Sequence, residues 1–169
     1  MRLFFALWPD DGVRAQLAEL GASLAERAGG RAVPAAKLHL TLSFLGEVPD
    51  ARVPRALEAA GSVRGAPFEL AIEAAGSFRD ARVAWAGPSR MPPALAALQS
   101  SLELELASAG FAPEARPFAA HVTLARGVAK PFPREMMSPI GWRVREFVLV
   151  RSETGRGSYV VMERWNLAG

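Results

Sequence analysis

Residues 37–45 read Lys-Leu-His-Leu-Thr-Leu-Ser-Phe-Leu, and the alternation at their centre leaves little conformational choice. Leu38, Leu40 and Leu42 fall on one parity and His39, Thr41 and Ser43 on the other. Only a period of two gathers the leucines on one face and the polar residues on the opposite face, so this segment predicts a half-buried β-strand. The pattern returns at His121-Val-Thr-Leu124, within an expected strand at 118–125. The chain has only two histidines, and each is followed two positions later by a threonine. One histidine beside one threonine on a strand is ordinarily structural. Two matched copies in a chain with no other histidine call for a shared role.

What surrounds the copies also repeats. Residues 2–8 form an apolar run ended by Pro9, with Asp10 or Asp11 as the cap of a following helix. Val13, Leu17, Leu20 and Leu24 recur at helical steps up to Gly29-Gly30, ten residues before His39. Later, Val83–Trp85 predicts a strand, and Pro92-Pro93 open a helix carrying Leu95, Leu98, Leu102 and Leu106. That helix stops at Gly110, eleven residues before His121. Strand, helix, glycine and histidine strand therefore occur twice, which implies two related lobes. No linker separates them, so residues 1–169 are expected to form a single domain. The remaining segments predict a weak helix at 51–60 interrupted by Pro54 and a strand around Phe68, Leu70 and Ile72. A proline-rich loop is expected through Pro131, Pro133 and Pro139. Two hairpin strands, Trp142–Arg151 and Tyr159–Trp165, are expected to join through Thr154–Ser158.

Composition narrows the chemistry. The absence of cysteine removes disulfides, zinc–thiolate centres, iron–sulfur clusters and a thiol nucleophile. No apolar run is long enough for a membrane span, and the N-terminal apolar stretch is too short for a secretion signal; a cytoplasmic protein is the expectation. Half of the residues are apolar, enough for a core, which excludes intrinsic disorder. A net charge of +3 with interspersed acids is no strong nucleic-acid footprint, although all cations except Lys37 and Lys130 are arginines, whose forks suit phosphate.

On a strand, positions i and i+2 share a side, so each motif sets an imidazole beside a hydroxyl. Two such strands facing one cleft supply a general acid and a general base that titrate near working pH. The two threonine hydroxyls can hold the non-bridging oxygens of a phosphate. The arrangement predicts phosphodiester cleavage with neither a metal nor a covalent intermediate. Two imidazoles are too few ligands for zinc. No Gly-x-Ser-x-Gly elbow supports a serine hydrolase, and Gly155-Arg-Gly157 lacks the context of a dinucleotide loop.

The paired His-x-Thr-hydrophobic motifs resemble the two-histidine phosphoesterase superfamily, and within it the RNA 2′,3′-cyclic phosphodiesterase (2′-5′ RNA ligase-like) family. Arg2-Leu-Phe-Phe-Ala-Leu7, Leu38–Val48, His121-Val-Thr-Leu-Ala-Arg126 and the closing Ser152, Gly157-Ser-Tyr159 and Trp165 match it in order, over nearly the whole chain. Ala120 departs from the proline that usually precedes the second histidine. The resemblance implies a bilobal α+β fold. Its two pseudo-symmetric lobes would carry antiparallel sheets lining a central cleft, with helices outside. It implies hydrolysis of 2′,3′-cyclic phosphate ends to 2′-phosphomonoesters without cofactor or metal. His39 would be the proton donor, His121 the proton acceptor, and Thr41 and Thr123 the phosphate holders. Arg126, five residues beyond His121, would neutralise phosphate charge. Phe4, Phe5 or Trp8 could stack on a nucleobase, with Phe5 and Tyr159 as the named contacts. The expected partners are RNA ends, tRNA halves among them, or nucleoside 2′,3′-cyclic phosphates, bound by a monomer with no membrane contact. Two alternatives share the cleft: 2′-5′ end joining, and a binding module that grips terminal phosphates without turnover.

Overall fold

The chain enters the fold through β1 (Arg2–Leu7), an apolar strand buried from Leu3 onward. A computed structural model describes all residues except Pro113, Thr154, Arg156 and Gly169. After Pro9, the Asp10 carboxylate accepts a hydrogen bond from the Val13 amide at 2.9 Å and caps α1 (Asp11–Ala28). Of the two candidate caps, Asp10 is therefore the one used. A two-residue strand, β2 (Arg31–Ala32), and one 3-10 turn at Ala35–Lys37 lead into β3 (Leu40–Glu47).

The second expected helix is not interrupted by its proline. A 3-10 turn at Asp50–Arg52 precedes α2 (Val53–Gly61), and Pro54 lies in the first turn, where a missing N–H costs nothing. Next come β4 (Phe68–Phe78), β5 (Val83–Gly87), α3 (Pro93–Ser108) and β6 (Val122–Arg126). Val13, Leu17 and Leu24 of α1 and all four leucines expected on α3 are buried.

The last third corrects the sequence reading. The expected proline-rich loop holds at Pro131 and Pro133 but ends before Pro139, which lies in β7 (Glu135–Val144), and the expected single strand 142–151 is divided between β7 and β8 (Glu146–Glu153), followed by β9 (Ser158–Asn166). Pro139 lies inside β7 because β7 is an edge strand and its register with β4 shifts between Ile72 and Ala74, so the missing donor disturbs no regular ladder. Within the expected hairpin connection, Thr154 and Arg156 lie outside the described residues.

The described strands form one sheet ordered β7-β4-β5-β6-β3-β1-β8-β9, with β2 beside β6, and the described strand pairs are antiparallel. The fold is thus α+β with an antiparallel sheet, as expected. Only Arg145 separates β7 from β8, which stand far apart in this order, so the sheet curls until these two regions adjoin. At the middle of the order, β3 and β6 meet through a single register pair, Leu40 with Val122.

The helices cross over. α1, which follows β1, packs on β6, β7 and β5, and α3, which follows β5, packs on α2 and β3. Close approach explains Gly21 in the middle of α1: a Cβ there would come within 3.0 Å of the Leu124 carbonyl oxygen on β6. Among the described residues, no helix is long and apolar enough to cross a membrane.

Candidate active site

The seam between β3 and β6 sets the geometry of the site. With Leu40 opposite Val122 in antiparallel register, one further step in each direction sets His39 against Thr123 and Thr41 against His121. Leu40 and Val122 are fully buried in the core, so alternation turns those four polar side chains to the other face. There all four line one cleft of about 460 Å³. The expected strands began at residues 37 and 118, but both hydrogen-bonded ladders begin later, each one residue after its histidine. The reason is local. Each imidazole uses its backbone neighbourhood as a partner: His39 Nδ1 donates to the Lys37 carbonyl at 2.7 Å, and His121 Nδ1 donates to the Ala119 carbonyl at 2.8 Å. A carbonyl oxygen only accepts, which puts the Nδ1 proton on both rings and leaves Nε2 as the nitrogen available for chemistry.

The walls are cationic. Arg2, Arg31, Lys37 and Arg126 line the cleft, and among the described residues no aspartate or glutamate does. Arg31 and Arg126 stand opposite each other where β2 pairs with β6, so two guanidinium groups face the same space. A cleft lined by one sign of charge concentrates an oppositely charged ligand. Among the described residues, no three of His, Cys, Asp and Glu cluster closely enough to hold a metal ion.

His39 is enclosed by aromatic rings. Phe4 lies 4.8 Å away between centroids, Trp8 stacks at 5.9 Å and 21°, and Tyr159 meets it edge-on at 5.4 Å. Arg14 lies beyond Trp8, 5.1 Å from the indole centre. It donates to the carbonyls of Leu38 at 3.1 Å, Pro9 at 3.3 Å and Ala35. Burial pushes the His39 imidazole down to about 4; Arg126, Arg14 and His121 add to the effect, and the Lys37 carbonyl opposes it. In the absence of a bound anion His39 is therefore neutral at pH 7.

The remaining expected contacts divide. Arg126 and Tyr159 line the cleft. Phe5 does not: it is 0% exposed and packs in the main core against Phe147 at 6.3 Å and Trp165 at 5.8 Å. Alternation along β1 sends its neighbour Phe4 to the cleft instead. Trp8 is occupied with His39 and Arg14 rather than open to a base. Arg2, Arg31, Lys37 and Ser152 went unrecognised in the sequence. Lys37 had a signal, since it lies two residues before His39 and shares its parity. Arg2 and Phe4 share a parity too, but the unbroken apolar run around Phe4 hides which face it serves.

Known proteins match this arrangement over nearly their full length. The family model described as LigT like Phosphoesterase matches residues 7–85 and 87–161, with one His-x-Thr motif in each stretch. The RNA 2′,3′-cyclic phosphodiesterase of Escherichia coli K12 is 34% identical over 172 residues, covering 98% of this chain and 96% of that protein. The RNA 2′,3′-cyclic phosphodiesterase of Thermus thermophilus is 35% identical over 185 residues, covering 100% of this chain and 91% of that protein. The crystal structure of Escherichia coli LigT complexed with 3′-AMP superposes with a TM-score of 0.89 at 33% identity, covering 99% of this chain and 98% of that one.

Proposed function

The chain belongs to the LigT-like phosphoesterase family, and on that premise we propose that it hydrolyses 2′,3′-cyclic phosphates at RNA or nucleotide ends to 2′-phosphomonoesters. The observation that carries this reading is the cross-strand square of His39, Thr123, Thr41 and His121 in one cationic cleft. The cyclic phosphate is a monoanion, and Arg126, Arg31 and Lys37 draw it in. The Thr41 and Thr123 hydroxyls donate to its non-bridging oxygens. Water attacks phosphorus on the side opposite the 3′ oxygen. As the new P–O bond forms, the bond to the 3′ oxygen breaks. His121 Nε2 accepts the proton of the water and His39 Nε2 gives a proton to the departing 3′ oxygen. The two rings finish with exchanged protonation and reset through solvent.

The lowered proton affinity of His39 bears on this assignment. As donor, His39 must be protonated when the substrate is bound, and the phosphate anion beside it favours that form. One observation favours the exchanged assignment: with no anion present, burial holds His39 neutral, the state a base needs. The pH dependence of kcat/KM reports the free protein and separates the two. If His39 is the donor, kcat/KM declines about tenfold per pH unit above its free-protein pKa. If His39 is the base, kcat/KM climbs through that pKa.

The reaction itself is tested with a panel of nucleoside 2′,3′-cyclic phosphates in the presence of EDTA. The expected product is the 2′-monoester at a rate that chelator does not change. A 3′-monoester, or activity that EDTA abolishes, overturns the proposal.

A further inference from the structure

We infer that Arg14 is a positioning residue for His39: from outside the cleft, its guanidinium braces both the carbonyl that fixes the tautomer of the imidazole and the indole that stacks on the ring. This role deepens the phosphodiesterase reading and rests on it for its kinetic consequence alone.

Arg14 stands in the first turn of α1 and is half-buried. It does not line the cleft, so it meets no substrate there. Among the described residues it belongs to no ion pair, and its fork is taken up by backbone carbonyls. A cation matched to neutral oxygens in a half-buried place carries a desolvation cost. Burial accordingly lowers its proton affinity, which Asp11 partly restores. The contacts that offset this cost all converge on the surroundings of one histidine. Nη1 donates to the carbonyls of Ala35 and Leu38, and Nη2 donates to that of Pro9.

The first two contacts bracket a single peptide. The peptide between Lys37 and Leu38 carries the Lys37 carbonyl, which accepts from His39 Nδ1 at 2.7 Å. It also carries the Leu38 N–H, which donates to the Ala35 carbonyl at 3.2 Å. The N–H and C=O of a trans peptide share one plane and point in opposite directions. Holding the Leu38 N–H on Ala35 therefore aims the Lys37 carbonyl. Arg14 grips the Ala35 oxygen on one side of this peptide and the Leu38 oxygen on the other. The third contact grips Pro9, the neighbour of Trp8, while the guanidinium itself lies 5.1 Å from the indole centre. That indole stacks on His39. One side chain thus anchors the hydrogen-bond acceptor and the stacking face of the same imidazole. A ring whose Nδ1 is held keeps Nε2 free and aimed at the reacting atoms.

His121 has a different support. Ala120 packs against Gly87 at the end of β5, where a Cβ would come within 2.5 Å of the Ala120 carbonyl oxygen. On its far side His121 borders a second, larger groove of about 730 Å³. Arg14 touches neither feature, so a change there separates the two histidines.

The test follows both imidazoles by nitrogen NMR in mildly alkaline buffer, where such rings are neutral, and measures steady-state kinetics on a cyclic nucleotide. In wild type both rings are expected in the Nδ1–H form. Arg14→Met keeps the length of the stem and removes the donors. It is expected to turn His39 into a mixture of tautomers and leave His121 unchanged. It should lower kcat about 10- to 100-fold and change KM less than about threefold. Arg14→Lys keeps the charge but donates from one point, and is expected to recover at most about a third of wild-type kcat. A residue that only stabilised the fold would lower the melting temperature and leave the His39 tautomer and kcat as in wild type. That outcome in either variant overturns the positioning role, as does an equal change at His121. If Arg14→Met does not fold, Arg14→Lys is judged by the same criteria. If wild type opens no cyclic phosphate, the phosphodiesterase reading fails, and the His39 tautomer in the variants still decides the role of Arg14.

Discussion

Around His39, three rings from different parts of the chain close in: Phe4 on β1, Trp8 just after it, and Tyr159 on β9. Around His121, one ring among the described residues, Phe78, meets the imidazole edge-on, and the other side opens into the larger groove. Yet the two histidines share a motif, a place one residue ahead of a strand, and a carbonyl partner two residues upstream. The repeat therefore copies backbone geometry and tautomer. It does not copy the surroundings, because the strands that flank β3 differ from those that flank β6. Two like residues acquire unlike environments, which acid–base catalysis by a pair requires.

The strongest way to break this comparison is to remove each ring in turn. His39→Ala and His121→Ala are each expected to lower kcat by about 100- to 10,000-fold while the fold survives. The double variant should lie close to the worse single one, since the pair acts as a unit. Losses that multiply would mean that the two rings contribute independently and would end the account of a pair acting as a unit. Steady-state kinetics on a cyclic nucleotide, with circular dichroism as the control for folding, decides it.

A smaller effect lies in acid stability. The His39 imidazole is held near 4 in the folded chain against an ordinary value of 6.5. Below pH 6.5 the unfolded chain takes up a proton there and the folded chain does not. Stability from this group is therefore complete above pH 6.5 and is lost as pH falls toward 4, by up to ~3 kcal/mol. Urea unfolding across that interval should show the loss in wild type and a flatter dependence in His39→Asn. An identical slope in both proteins would contradict it. The smallest expected effect comes from opening the enclosure: Trp8→Leu should raise the His39 titration midpoint toward 6.5 by about one unit or less, read by NMR. A midpoint that does not move would assign the depression to the other neighbours.

Much of this site was legible because a strand has a fixed period. The parity of Leu38, Leu40 and Leu42 already placed His39 and Thr41 on one face, and the second motif repeats the logic. The helices were legible for a similar reason, with Asp10 and Pro93 as punctuation. What stayed hidden depends on tertiary pairing. Phe4 and Phe5 are chemically alike, and only the register of β1 between β3 and β8 decides which one sees the cleft. Nothing local marks Arg14, and only the path of residues 35–38 past α1 brings two carbonyls, those of Ala35 and Leu38, to its fork beside that of Pro9. Trp142–Arg151 reads as one strand because nothing local marks Arg145 as the point where the chain changes partners.

The crossed helices carry a consequence for how the chain can be divided. α1 is encoded beside β1 but roofs β6, and α3 is encoded beside β5 but roofs β3. A half-length fragment would leave its helix with no sheet beneath it and its sheet with no roof. Two such fragments could recover the architecture only by trading helices. The two halves of the polypeptide are interleaved, each supplying the helix that covers a strand of the other, and covalent continuity holds the exchange in place.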